Sequence, residues 1–218
     1  MTQSSSARAF YDRISGVYDA LADASEHDAR ALGLRLLAPS ENDQVLEIGF
    51  GTGHGLVEIA ERLADGGRVF GVDVSLGMLG VARKRVQASG LEHRIAVLQL
   101  GDAKLLPYRR SSFDAVFMSF TLELFAETEI PNVLAEVARV LRPGGRLGVV
   151  SMHDDGNRHL IVDLYRFLHR HFPHIVDCQP IDVCSYLEHA ELIVSETKSI
   201  SIWGLPVLAV AARTRNEP

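Results

Sequence analysis

Apolar positions along this chain change their spacing in a regular order. Short continuous apolar runs alternate with stretches in which apolar residues recur three or four apart, the two periodicities of buried strands and amphipathic helices. The runs Gln44–Ile48, Arg68–Asp73, Ile95–Leu100, Phe113–Phe120 and Arg146–Ser151 predict strands. Between them, His54–Ala64 predicts a helix burying Leu56, Ile59, Ala60 and Leu63. Leu76–Ser89 predicts another, capped by Ser75 and stopped by Gly90. Ile130–Leu141 predicts a third, closed by Pro143-Gly144-Gly145.

The flanks are read the same way. Residues 1–6 are expected to fray, and Ala7–Leu37 reads as helical, with Phe10, Ile14, Val17 and Leu21 on one face and Gly16 as a break. In the last third, His159–Phe172 and Ile181–Ala190 read as helices. Leu192–Ile202 and Val207–Arg213 read as strands joined at Trp203-Gly204-Leu205-Pro206 into a hairpin. Strands alternating with helices of this length imply an α/β fold with a parallel sheet covered on both faces. The hairpin then sets an antiparallel strand in or at the edge of that sheet. No repeat, low-complexity tract or linker divides the chain, so residues 1–218 are expected to form one domain.

Composition narrows this only a little. At 218 residues, 47% hydrophobic and 23% charged, the chain is ordinary for a globular domain. A net charge of −6 gives no sign of nucleic acid as a partner. No apolar run reaches the roughly 20 residues of a membrane-spanning helix, and Met1–Ser6 lacks the apolar segment of a secretory signal. Cys178 and Cys184 fit no metal-binding spacing, so a cytoplasmic chain with reduced thiols and no metal is expected.

The chemistry concentrates in Val45-Leu46-Glu47-Ile48-Gly49-Phe50-Gly51-Thr52-Gly53-His54-Gly55. A strand ends beside a carboxylate, alternating glycines follow, and a helix begins. Glycines let a backbone approach a ligand closely, and the helix start turns free N–H groups into the same space. That is a loop for a nucleotide-like small molecule. The dinucleotide pattern G-x-G-x-x-G fails here, at His54 or at Leu56 depending on where it starts, and a phosphate loop would need G-K-[ST].

Glu47-x-Gly49-x-Gly51-x-Gly53 instead resembles the first motif of class I S-adenosylmethionine (SAM) dependent methyltransferases. Further blocks resemble that family in its order: Gly71-Val72-Asp73-Val74-Ser75, Gly101-Asp102-Ala103 with Leu106-Pro107, Phe113-Asp114-Ala115-Val116, and Leu141-Arg142-Pro143-Gly144-Gly145-Arg146-Leu147. Phe10-Tyr11-Asp12-Arg13-Ile14-Ser15-Gly16-Val17-Tyr18-Asp19 resembles, more loosely, the opening of quinone-biosynthesis C-methyltransferases and of some phosphatidylethanolamine N-methyltransferases. The resemblance implies a Rossmann-like three-layer sandwich with a seven-stranded, mostly parallel sheet. It implies transfer of a methyl group from SAM to a small or lipophilic acceptor, a quinone precursor or a lipid headgroup, leaving S-adenosylhomocysteine. The competing readings are a SAM-binding protein without catalysis and, more weakly, a nicotinamide oxidoreductase.

The resemblance also distributes roles. Glu47 faces the ammonium side of SAM, and the backbone of Gly49, Phe50, Gly51, Thr52 and Gly53 lies along its methionine part. Asp73 takes the ribose diol, and Asp102 with the Ala103 N–H takes the adenine. Val74 and Met78 flank the adenine, although a core methionine is nearly as natural at 78, and Ser119 faces the crevice. Residues 1–38 would form a helical lid and 153–205 the acceptor side, in a monomer or homodimer that could touch a membrane surface. Tyr18 reads equally as a lid residue or as packing, and Tyr11 as packing. His153, after the fifth strand, is a candidate general base, although a lone histidine is more often structural. His54 reads as a loop residue. His159, His169, His171 and His174 read as a solvated face, and so do Arg68, Arg83, Lys84 and Arg85.

Overall fold

The structure, a computed structural model, describes residues 26–153, 180–202 and 204–215. Tyr11, Tyr18, Cys178, Trp203, the stretch expected as a helix over His159–Phe172 and His174 lie outside these residues. Helix α1 covers residues 26–37. It is followed by β1 (Gln44–Ile48), α2 (His54–Arg62), β2 (Arg68–Asp73), α3 (Leu76–Ser89), β3 (Ile95–Leu100) and β4 (Phe113–Ser119). Then come α4 (Ile130–Val140), β5 (Leu141–Met152), α5 (Val183–His189), β6 (Ile193–Ile202) and β7 (Leu205–Arg213). The strands form one seven-stranded sheet in the order β3-β2-β1-β4-β5-β7-β6. Neighbours from β3 to β5 are parallel, while β7 runs antiparallel to both β5 and β6. The hairpin thus places its second strand inside the sheet and its first strand at the edge.

Alternation along β4 shows how both faces are filled. Val116 and Met118 point into a core with Val133, Leu134 and Val137 of α4 and with Val183 and Leu187 of α5. Ala115 and Phe117 point into a second core with Leu34 and Leu37 of α1, Leu56 and Ile59 of α2, and Leu79, Ala82 and Val86 of α3. The sheet is therefore the middle of three layers, and its inner strands read as continuous apolar runs because both faces are dry. The edge strands β3 and β6 are only partly buried and depart from that pattern.

Element boundaries differ from the sequence reading at several points. The helix expected to run to Leu141 ends at Val140, and Leu141 already pairs with Phe113. Strand β5 therefore starts before the Pro-Gly-Gly segment, which is accommodated by a register shift before Ala115 pairs with Arg146. The helix expected from Ile181 begins at Val183, because Asp182 caps it by accepting the Ser185 N–H at 3.2 Å.

Helix α1 lies close on the sheet because Gly33 has no side chain. A Cβ there would sit 2.3 Å from Val150 Cγ2 and 3.1 Å from Phe117 Cε2. Gly33→Ala should lower stability by about 1–3 kcal/mol, the usual cost of overpacking a filled core. Urea unfolding followed by circular dichroism measures it, and an unchanged midpoint would contradict this packing.

Candidate functional site

Glu47 is the last but one residue of β1, paired in register with Gly71 on one side and Phe117 on the other. The loop that follows is held by backbone: the Gly49 N–H donates to Val72 O at 2.8 Å and the Gly53 N–H to Phe50 O at 2.8 Å. Gly49, Gly51 and Gly53 all have positive φ, at 71°, 51° and 86°. Their surroundings differ. A Cβ on Gly49 would meet Thr121, and one on Gly53 would meet Ala82, but one on Gly51 would meet nothing within 4 Å. Gly51 is thus the point where the loop fronts open space. The Phe50 ring packs down into the core, so only its backbone belongs to the loop. Arg85, expected as solvated surface, corrects that reading: its Nε donates to Thr52 O at 2.8 Å and ties α3 to the loop.

Asp73 ends β2 beside this loop. Its Oδ2 accepts the Gly51 N–H at 2.8 Å and its Oδ1 the Ser75 N–H at 2.8 Å. Each oxygen keeps a lone pair for a second donor. Across the sheet, the Gly101 N–H donates to Asp73 O at 3.0 Å, which draws the end of β3 against that of β2. Asp102 turns the chain there, its Oδ1 accepting the Lys104 N–H at 2.9 Å, while Ala103 is buried. Val74 (83% exposed), Leu76, Met78, Leu100 and Leu105 stand out of these same two connections, a grouping of exposed apolar side chains at the carboxyl ends of β2 and β3.

Glu47 itself is buried against the first turn of α2. Gly55 makes room for it, since a Cβ there would come 2.0 Å from Glu47 Oε1 and the carboxylate would have to shift. Burial pushes the Glu47 carboxyl well above the ordinary range; Arg30 opposes this, and Glu58 and Asp73 add to it. Arg30 contributes only from a distance, because its Nε is bonded to Glu58 Oε1 at 2.8 Å.

Glu123 is a residue the sequence reading missed. It lies in a 3₁₀ turn, Leu122–Leu124, just after β4, and is 2% exposed. Its Oε1 accepts the Met152 N–H at 3.1 Å. Burial pushes its carboxyl up to about 7, against the Met152 N–H and the Ser151 hydroxyl, which lower it. Thr121 was missed too: its hydroxyl donates to Ser119 O at 3.0 Å and its side chain fills the space under Gly49. A carboxylate between leucines in a run otherwise read as connection was the available signal.

Eight buried side-chain polar atoms lack a hydrogen-bond partner among the described residues, and four of them share one end of the sheet: Glu47 Oε2, Ser119 Oγ, Glu123 Oε2 and His153 Nδ1. Such atoms are rare because leaving one unpaired costs about 1–3 kcal/mol. Their grouping at the carboxyl ends of β1, β4 and β5 marks the crevice where open α/β sheets take ligands. A separate depression of about 490 Å³ lies between Pro131 at the start of α4 and Tyr186 of α5. None of the four atoms lines it, so the grouping of unpaired atoms, not this depression, locates the chemistry. Among the described residues no cluster of metal-ligating side chains is present.

Residues 45–145 match the methyltransferase domain family. The chain is 44% identical over 104 residues to a demethylmenaquinone methyltransferase of Symbiobacterium thermophilum, covering 48% of this chain and 40% of that one. It is 30% identical over 155 residues to a 2-phytyl-1,4-naphtoquinone methyltransferase of Trichormus variabilis, covering 69% of this chain and 66% of that one. The chain thus spans less than two thirds of these relatives. A solved SAM-dependent methyltransferase from Methanosarcina mazei superposes with a TM-score of 0.67 at 21% identity, over 82% of this chain and 95% of that one, and shows the fold alone.

Residues 45–145 thus match a methyltransferase domain, and they are similar to class I SAM-dependent methyltransferases. SAM is the cofactor of that family. The site of this methyltransferase domain fits it: a buried carboxylate oxygen without a partner, a glycine fronting open space, and a second carboxylate with lone pairs to spare. The fold expected from the sequence, with its antiparallel strand near the C-terminus, is the fold observed.

The Glu123 carboxyl gives a stability test. Its folded value near 7 exceeds the ordinary 4.5, so the folded chain holds this proton more tightly. The stabilisation is complete below 4.5 and is lost as pH rises through about 7. Glu123→Gln keeps an acceptor for the Met152 N–H and carries no charge. At pH 8 it should be more stable than the parent by roughly 3 kcal/mol, with the difference vanishing near pH 4.5. Thermal unfolding at the two pH values measures this; equal stability at pH 8 would contradict the buried placement.

Proposed function

We propose that this chain is an enzyme that moves the methyl group of SAM to a reduced quinone-type ring. The carrying observation is the set of unpaired buried polar atoms around a glycine loop at the carboxyl ends of β1, β4 and β5. Two relatives named for naphthoquinone-type acceptors support the choice of acceptor over a lipid headgroup. Bound there, SAM supplies an electrophilic methyl on a cationic sulfur. Glu47 Oε2 attracts the ammonium side, and the backbone of Gly49, Phe50, Gly51, Thr52 and Gly53 lines the methionine part. Asp73 accepts the ribose hydroxyls while it holds the Gly51 N–H. Asp102 and the Ala103 N–H take the adenine edge, with Val74 and Met78 against its faces, and Ser119 closes the crevice at β4. The protein thus contributes alignment and exclusion of water more than covalent chemistry. Among the described residues no helix is long and apolar enough to cross a membrane. We place the enzyme in the cytoplasm, monomeric or dimeric, meeting a lipophilic acceptor at a membrane surface.

The test is methyl-labelled SAM with 1,4-naphthoquinol and, separately, phosphatidylethanolamine vesicles. Label on the quinol supports the reading; label on the lipid alone contradicts the acceptor; SAM binding with no transfer to either favours a non-catalytic SAM-binding role. Calorimetry with NADH in place of SAM tests the oxidoreductase alternative. Asp73→Ala should weaken SAM binding by roughly ten- to a hundred-fold, since hydrogen bonds to a charged group are worth about 1.5–3 kcal/mol. Unchanged affinity would contradict the ribose assignment.

Glu47 adds a pH dependence. Because burial raises its carboxyl, the free site holds its proton to higher pH than an ordinary carboxylate does, and an arriving cation favours the ionised form. SAM affinity should therefore rise with pH until Glu47 is ionised in the free protein, and binding should release a proton. Calorimetry in buffers of different ionisation enthalpy detects the release, which Glu47→Gln should abolish. Binding without proton release in the parent would contradict the role given to Glu47.

A further inference from the structure

We infer that Glu123 is the base of the methyl transfer, its Oε2 receiving the proton that the acceptor loses. The inference rests on the methyltransferase reading above and deepens it. The last pairing between β4 and β5 is Ser119 with Val150, followed by the Phe120 N–H to Val150 O at 2.8 Å. There Phe120 takes a positive φ of 50° and the chain leaves the sheet. The Leu122–Leu124 turn then carries Glu123 back over the end of β5, where Oε1 takes the Met152 N–H that β4 no longer reaches. The carboxylate stands over the gap between two strand ends, at the end of the sheet that also holds the unpaired Ser119 Oγ and Glu47 Oε2.

A purely structural role explains less. Capping one N–H needs one oxygen, and an amide would supply it without a buried charge. Glu123 instead buries a carboxylate and leaves Oε2 without a partner. A buried group whose ionisation is moved toward neutral pH, beside a ligand crevice, is what proton transfer requires. Among the described residues, Ser151 and Met152 of β5 face it and carry no charge, and Glu26 of α1 adds a negative charge that raises its carboxyl further. His153, the candidate base of the sequence reading, follows β5, and its N–H donates to Pro206 O. Its Nδ1 is itself unpaired among the described residues and bonds neither oxygen of Glu123, so the two are separable by substitution.

In the step, the acceptor atom attacks the methyl as the bond between sulfur and methyl breaks, and that electron pair stays on sulfur. The proton on the acceptor atom passes to Glu123 Oε2, and the carboxylic acid returns it to water. The ionised form is the active one, so the rate rises with pH through about 7 and then levels.

The test compares parent, Glu123→Gln and His153→Gln. With 1,4-naphthoquinol as acceptor, Glu123→Gln should lower kcat by about a hundred-fold, the lower range of general-base contributions, and abolish the rise with pH. Its SAM affinity should stay unchanged. Full rate with the same rise in Glu123→Gln, or loss of the rise in His153→Gln instead, would overturn the assignment. An activity-independent readout is the infrared carboxyl signal present in the parent and absent from Glu123→Gln, titrated with S-adenosylhomocysteine bound. Ionisation near neutrality supports the inference even if the quinol proves the wrong acceptor and no methyl moves. A carboxyl that stays ionised or stays protonated from roughly pH 5 to pH 9 would overturn it whatever the acceptor.

Discussion

Carboxylates held away from water at the end of a parallel sheet are the constraint on which the rest of this structure depends. Glu47, Asp73 and Glu123 are each 9% exposed or less and stand at or just beyond the carboxyl ends of β1, β2 and β4. Burying a carboxylate is unfavourable unless it is bonded, neutralised or waiting for a ligand. The three illustrate the three solutions. Asp73 is bonded to two backbone N–H groups. Glu123 has one oxygen bonded and its carboxyl pushed up to about 7. Glu47 is pushed up by burial with one oxygen unpaired.

The fold exists to hold that arrangement. Strands β1, β2 and β4 are neighbours in the sheet although β4 is distant in sequence, and their shared register brings the three connections together. The glycines are where packing leaves no room for a side chain: Gly55 under Glu47, Gly49 against Thr121, Gly53 against Ala82. Asp73 holds the loop at Gly51 and Arg85 holds it at Thr52, and the Cα of Gly51 still fronts open space.

The sequence carries the central architecture plainly, because continuous apolar runs and helical spacing report burial directly. Ser75 and Gly90 bracket α3 as capping chemistry requires, and both boundaries were legible. The C-terminal hairpin was legible as a hairpin, while its insertion with β7 between β5 and β6 depends on pairing that no local pattern encodes. The glycine loop and Asp73 were legible because each sits at the end of an apolar run. Glu123 was not, since its role arises from Met152 and Ser151, which are distant in sequence and meet it only after the sheet has formed. Arg85 was hidden for a similar reason: helical position alone makes it look solvated, and its bond to Thr52 O is tertiary.

Glu47, Asp73 and the open side of Gly51 should all face one ligand. A crystal structure of the chain with S-adenosylhomocysteine tests this most directly. It should show the amino group of the ligand on the Glu47 side of the crevice, the ribose diol on Asp73 with the Gly51 N–H still bonded to Oδ2, and the adenine among Val74, Met78 and the Asp102–Ala103 turn. A ligand whose ribose binds away from Asp73, or one seated in the depression beside Tyr186, would contradict it.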